Sequence, residues 1–229
     1  MYWQDPESDE SFVVPDDVVD VVFRIRCREL PVDHAHALSE ALQQALPWLQ
    51  HEPRAGVHTI HVAETGNGWQ RPQAPGALLQ LSKRTRLTLR LPRERVAQVQ
   101  PLVDAQLRIG EHAMRVGAFM TRPLSSLGTL LARYVVDTSG GDEAAFLRQA
   151  TQDLADLNIR VIKMLAGRSH VLQFPQGACA TRSLMVAGLA GAQSVKLQQH
   201  GLGRGRIAGC GLFIPHKSID AVHDTDATG

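Results

Sequence analysis

The sequence predicts an α+β protein built from two tandem βαββαβ units, each an antiparallel sheet with helices on one face. Three observations lead there. Runs rich in β-branched residues alternate with segments of helical periodicity, the same order of elements occurs twice, and 229 residues suit two units of about a hundred residues each. In the first half "VVDVVFRIRCREL" (18–30) alternates as a strand. "PVDHAHALSEALQQALPWLQ" follows, with Pro31 and Asp33 as start signals and Ala35, Leu38, Leu42 and Leu46 at helical spacing. "GVHTIHVA" (56–63) is a short strand, "TGNGWQRPQAPG" a loop, and "ALLQLSKRTRLTLRLP" two strands around a basic turn. Pro92 opens a second helix, "RERVAQVQPLVDA", and "QLRIGEHAMRVGAFMTRPL" closes the half as a hairpin turning at Gly110.

The second half repeats the order. "LGTLLARYVVDT" (127–138) is a strand, "DEAAFLRQATQDLADLN" (142–158) an amphipathic helix, and "IRVIKML" (159–165) a strand. "ATRSLMVAGL" (180–189) is another strand, "AGAQSVKLQQH" (190–200) a helix, and "GCGLFIP" (209–215) the last strand. Two ferredoxin-like (RRM-like) domains result, residues 1–122 and 123–229, the second carrying a glycine-rich loop. The repeat is one of architecture, without residue-level similarity between the halves. A single larger α+β domain is the alternative that the pattern leaves open.

A net charge of +1 hides a segregation of charges. Between Thr65 and Arg93 stand Arg71, Lys83, Arg84, Arg86, Arg90 and Arg93 with no acid, and from Arg160 to Lys217 eight more Lys or Arg, again with none. Seven acids crowd into the first twenty residues. Acid-free tracts interleaved with strands predict a polyanion-binding surface. No apolar run approaches the roughly 20 residues of a membrane span, and the acidic N-terminus lacks the regions of a secretory signal, so a cytoplasmic location is expected. Cys27, Cys179 and Cys210 are far apart and odd in number, which predicts buried thiols and no disulfide framework. His58 and His61 on a strand would point to opposite faces, and His34 and His36 on a helix would not share one, so neither pair offers a metal site. No cofactor is expected.

"HGLGRGRIAGCGLFIPHK" (200–217) is the most distinctive stretch. A dinucleotide fingerprint runs from strand to helix, whereas this loop runs from helix to strand and holds Arg206 where a third glycine belongs. No Gly-Lys-Ser/Thr follows, so it is not a P-loop. Gly201, Gly203, Gly205, Gly209 and Gly211 leave backbone able to approach another chain closely, with Arg204 and Arg206 as cations. Phosphates are the natural partner.

Gly201-Leu202-Gly203, five residues, then Gly209-Cys210-Gly211 resembles the G-h-G-x5-G-h-G loop of the RAMP superfamily of CRISPR-associated proteins. With "PVDHAHALSEAL", "GNGWQRP", "RTRLTLRLPRERV" and "GCGLFIPHK", the chain resembles, over residues 14–220, the CRISPR repeat-RNA processing endoribonucleases, the sixth Cas family, in their Myxan subtype. The resemblance implies metal-independent cleavage of repeat hairpins in precursor transcripts to guide RNAs. The 2′-hydroxyl attacks the adjacent phosphorus and leaves a 2′,3′-cyclic phosphate. It also implies CRISPR repeat RNA or guide RNA as partner, and other Cas proteins of an effector complex as further partners. The family's catalytic histidine comes from the N-terminal unit, in or just after its first helix. His58 is the favoured position and His51 the next. Trp69, Arg71, Lys83, Arg84, Arg86, Arg90, Arg168, Arg182, Arg204, Arg206 and Lys217 are expected to bind RNA together with the loop glycines. Arg84/Arg86 and Arg204/Arg206 would each share a strand face if extended. Two other readings stay open at this level: a non-catalytic RAMP RNA-binding subunit of a CRISPR effector complex, and a ferredoxin-like small-molecule module.

Overall fold

The computed structural model describes residues 12–62, 76–161 and 163–216. Eleven strands, β1 (Val18–Arg26), β2 (Glu29–Pro31), β3 (Gly56–Val57), β4 (Leu78–Gln80), β5 (Arg86–Pro92), β6 (Gln106–Ile109), β7 (His112–Pro123), β8 (Leu130–Val136), β9 (Lys163–Phe174), β10 (Gly177–Ala187) and β11 (Phe213–Pro215), occur with three α-helices, α1 (Ala35–Ala45), α2 (Glu143–Asp156) and α3 (Gly191–His200). One sheet has the order β3-β5-β1-β7-β6 and a second the order β11-β8-β10-β9. All pairings are antiparallel. Leaving aside the added hairpin strand β6, each half has the first and third strands of a βαββαβ unit at the centre of its sheet. That is the ferredoxin-like order, twice.

Alternation decides which face is buried. Val19, Val21, Phe23 and Ile25 of β1 turn into the first core, where they meet Leu38 and Leu42 of α1, Leu87 and Leu89 of β5, and Val99 and Leu102. The second core gathers Leu130 and Ala132, Phe146, Ala150 and Leu154 of α2, Leu184, Val186 and Phe213. Asp142 caps α2 by accepting the amides of Ala144 and Ala145. At the start of α1, buried His34 plays a different part. Its Nε2 accepts the Ile60 amide at 2.9 Å, so the ring's proton sits on Nδ1, which donates to the Pro31 carbonyl at 2.8 Å.

Several elements differ from expectation. The segment after Pro92 is a 3-10 helix, Arg93–Leu102, with Pro101 inside it. Its only buried residues, Val99 and Leu102, are three apart, the spacing that a three-residue turn stacks, and Pro101 has no amide for an α ladder. The strand expected over 56–63 stops at Val57, because beyond it Ile60 gives its amide to His34. β4 pairs with β2 in a small sheet of its own. β9 and β10 form one long hairpin, turned at Gly177 with φ of 126°, that reaches well past the predicted strands. The last strand is shorter than predicted, since Gly205, Gly209 and Gly211 all lie at positive φ and fold the chain before Phe213. Of the cysteines only Cys210 is buried, which pushes its thiol up to about 12; Cys27 and Cys179 are half-buried.

The halves are joined by buried polar groups. Asp20 of β1 faces away from the first core and accepts from Arg90 Nε at 2.8 Å and Nη2 at 3.2 Å. Arg90, with no exposed surface, spends Nη1 on the carbonyls of Gln198 (3.0 Å) and Phe213 (2.8 Å) in the second half. The connection between the sheets is fixed to α3 by Ser194 Oγ, which donates to the carbonyls of Ser125 and Leu127, and by Gln198, which takes the Ser125 amide and donates to its carbonyl at 2.6 Å.

Burial alone would raise the Asp20 pKa, but Arg90, with His58, overrides it and holds the carboxyl well below the usual carboxylate range. The stability this provides is complete above the unfolded value near ~3.9 and is lost as pH falls below it. Asp20→Asn should therefore cost about 3 kcal/mol at neutral pH, where Arg90 is left buried without a counter-charge. In urea unfolding followed at several pH values, the gap to wild type should close below about pH 4. Gly211 has φ of 66° and a Cβ there would strike the Leu202 carbonyl oxygen, so Gly211→Ala should cost roughly 2 kcal/mol or more. Gly203, also at positive φ but with open space around it, should lose about half as much in the same assay.

Candidate nucleic-acid interface and active site

The glycine loop is the seam between the halves. Gly201 ends α3, its amide donating to the Leu197 carbonyl. Gly211 donates to Tyr134 O at 2.6 Å, and its carbonyl accepts from Leu202 at 3.0 Å. Gly209 lies against the other half, where a Cβ would sit 2.6 Å from Thr59 Cγ2 and 3.3 Å from Val57 O. Arg206 reaches the same way, with Nε donating to Ala55 O and Nη2 to Arg54 O and Gln199 O. The loop glycines are therefore required chiefly by close contact within the protein; Gly203 and Gly205 are the exposed ones.

Beside this seam a cleft of about 170 Å³ is lined by His58, His61, Thr88 and Arg122 from the first half and by Arg133, Gly209 and Ile214 from the second, among others. His58 follows β3 and hangs on β5 through its amide, which donates to Thr88 O at 3.0 Å. Its Nε2 is buried without a hydrogen-bond partner and stands 3.7 Å from Asp20 Oδ1, an ion-pair distance too long for a hydrogen bond. Burial lowers the His58 pKa, and the charges of Arg90 and Arg122 add to that effect against the opposing pull of Asp20. The imidazole is thus kept neutral, the form a general base needs. Arg122 Nη2 donates to Asp20 Oδ2 at 3.2 Å while its side chain stays 61% exposed, which leaves a cation at the cleft wall. His61 Nε2 lies 2.9 Å from Thr59 Oγ1 and its ring stacks on Tyr134, which also makes an edge contact with His170.

The expected site residues fall in different places. His58 and Gly209 come together in the cleft. His51 does not line it; it is exposed at the end of a 3-10 turn, beside Gln50. Lys83, Arg84, Arg86, Arg168 and Arg204 are exposed. Trp69, Arg71 and Lys217 lie outside the described residues. Three arginines expected on RNA are committed to the interior instead. Arg90 is sealed between the halves, and Arg206 binds three carbonyls across the seam. Arg182 is buried against Asp137, Glu143, the Gly141 carbonyl and the Phe146 ring. Arg204 and Arg206 share no strand face, because the segment between them turns at left-handed Gly205 into a 3-10 turn. His58 and His61, expected on opposite faces, line one cleft because the strand ends at Val57. Among the described residues no cluster of His, Cys, Asp and Glu would hold a metal, and no helix is long and apolar enough to cross a membrane.

Asp20, Arg122 and Arg133 were not singled out from sequence, and His61 was weighed there only as a metal position. Asp20 carried a signal, since one acid inside "VVDVV" must find a counter-charge if that strand is buried. Arg122 and Arg133 fall outside both acid-free tracts, and only the sheet register brings them to the cleft.

The Cas6 Crispr family model matches residues 19–218. A CRISPR-associated endonuclease Cas6 of Myxococcus xanthus (strain DK1622) is 32% identical over 198 residues, 86% of this chain and 81% of that protein. Among solved structures, a CRISPR-associated protein Cas6 superposes with a TM-score of 0.59 at 12% identity, covering 87% of this chain and 100% of the other. A Cas6-related protein from Pyrococcus furiosus gives 0.54 at 11% identity, with 86% and 97% covered. A RAMP protein described as binding different RNA substrates gives 0.54 at 13%, with 86% and 98% covered. The fold, the inter-domain cleft and the match over nearly the whole chain lead to one conclusion: this chain belongs to the Cas6 family of CRISPR-associated proteins.

Proposed function

We propose that the protein is an endoribonuclease that binds the hairpin of a CRISPR repeat and cuts it without a metal ion by attack of the neighbouring 2′-hydroxyl. The observation that carries this reading is His58, kept neutral between Asp20 and a cleft with Arg122 and Arg133 on its walls. That set supplies what the reaction asks for. His58 takes the 2′-hydroxyl proton as the O2′–P bond forms, the two guanidiniums offset charge on the phosphorane, and a proton reaches the 5′ oxygen as the P–O5′ bond breaks. His61, in the same cleft, is the group assigned to deliver that proton. The products are a 2′,3′-cyclic phosphate and a 5′-hydroxyl. The Myxococcus relative bears the name of an endonuclease, which supports the same class of activity. The exposed Lys83, Arg84, Arg86, Arg168 and Arg204 are the side chains proposed to hold the RNA phosphates.

Repeat RNA of the protein's own locus, incubated in EDTA, should be cut once, and a copy with one 2′-deoxy sugar at the cut should stay intact. Cutting of the deoxy copy would sink the mechanism; tight binding of both with no cut would make this a binding subunit. His58→Ala should lower the cleavage rate by about a hundredfold or more with affinity for the deoxy copy unchanged. Because the His58 pKa is lowered, the base stays unprotonated below ~6.5, so the acidic limb of the single-turnover rate profile, where the base is lost, should lie below that pH.

A further inference from the structure

We propose that the open face of the N-terminal sheet is a track for single-stranded RNA that leads away from the cleft and holds a single-stranded flank of the repeat hairpin. The proposal rests on the nuclease reading and adds which part of the substrate is held, and where. Along β1, Asp20, Val22, Arg24 and Arg26 alternate with the core residues and so share the face opposite to the helices. Register then places Arg122 opposite Asp20, Thr88 and Met120 opposite Val22, Arg86 opposite Arg24, and Arg115 opposite Arg26. Asp20 and Arg90, opposite each other, are buried where the second half covers this face, so from the cleft outward its exposed part reads as Arg122, a row of Val22, Thr88 and Met120, and two cation rows, over about 20 Å of strand.

Two of these rows pair like charges directly across strands, an arrangement that weakens a sheet. Arg86 gives its Nη1 to the Lys83 and Thr85 carbonyls, and Arg115 pairs with Asp104 in an exposed contact. Arg24 and Arg26 are exposed and make no ion pair among the described residues. A polyanion laid over them would remove the repulsion. Between the cation rows, Met120 is 68% exposed beside half-buried Val22 and Thr88, a surface for unstacked bases. A duplex keeps its bases stacked inside and would leave that row unused, which favours a single strand.

The test measures affinity by fluorescence anisotropy for two RNAs with a 2′-deoxy sugar at the cut, the repeat hairpin alone and the hairpin with its single-stranded flanks. Wild type should bind the flanked RNA about tenfold more tightly than the bare hairpin. In Arg24→Ala/Arg26→Ala that advantage should vanish, and the salt slope for flanked RNA should shrink by about 1.4, two single-strand phosphate contacts at about 0.7 each. Arg24→Lys/Arg26→Lys should restore most of it. An alanine variant that keeps the wild-type advantage overturns the track, and so does one whose Tm falls, which would give these arginines a structural role. A wild type that binds both RNAs equally overturns the track and leaves the nuclease reading standing; one that binds neither overturns that reading itself.

Discussion

The carboxylate of Asp20 is the point on which both halves and the cleft depend. It is buried, and an isolated buried charge would be costly, so its neighbours are arranged around it: Arg90 with two hydrogen bonds, Arg122 with one, and His58 at 3.7 Å. Arg90 then carries the interaction across to the carbonyls of Gln198 and Phe213, the end of the last helix and the start of the last strand. One anion in the first β-strand thus docks the second domain and, at the same time, helps to set the protonation of the cleft histidine. Geometry and chemistry are linked through a single side chain.

A division of labour among the arginines follows from this arrangement. Arg90, Arg182 and Arg206 sit inside and satisfy carboxylates and backbone carbonyls, uses suited to a planar group with five donors. Arg122 does both, holding Asp20 with one nitrogen while most of its surface faces the cleft. The exposed cations are thus displayed on a frame that other cations hold together. Counting basic residues along the chain merges these roles, because the count contains no partners.

Much of the fold was legible because alternation and helical spacing are local. The runs around Val18, Leu130 and Leu184, and the helices at Leu38 and Phe146, follow from side-chain order alone. What was not legible depends on distant contacts. β3 ends early because Ile60 is claimed by His34, and the segment at Arg93 is a tighter helix because the residues that find the core, Val96, Val99 and Leu102, stand three apart. The candidate site was half visible. His58 stood out by its place after the first helix, whereas the loop glycines were read as open to a ligand when Gly201, Gly205 and Gly211 pack against their own loop and Gly209 meets Thr59 of the opposite half. Arg122 and Arg133 needed the register of two sheets before they became neighbours of the same cleft.

The connection between the domains passes over α3 with its carbonyls at Ser125 and Leu127 taken up by Ser194 and Gln198. A linker tied in this way gives the two sheets little freedom to open or close as a hinge would. For the RNA binding proposed above, shape adjustment would then fall to the nucleic acid, whose strand would give up conformational entropy to lie along a surface already in place. On that reading affinity would be governed by how costly the RNA is to order, so a repeat whose flanks are unstructured and whose stem is firm would be held differently from one that must first melt, even where every protein contact is the same.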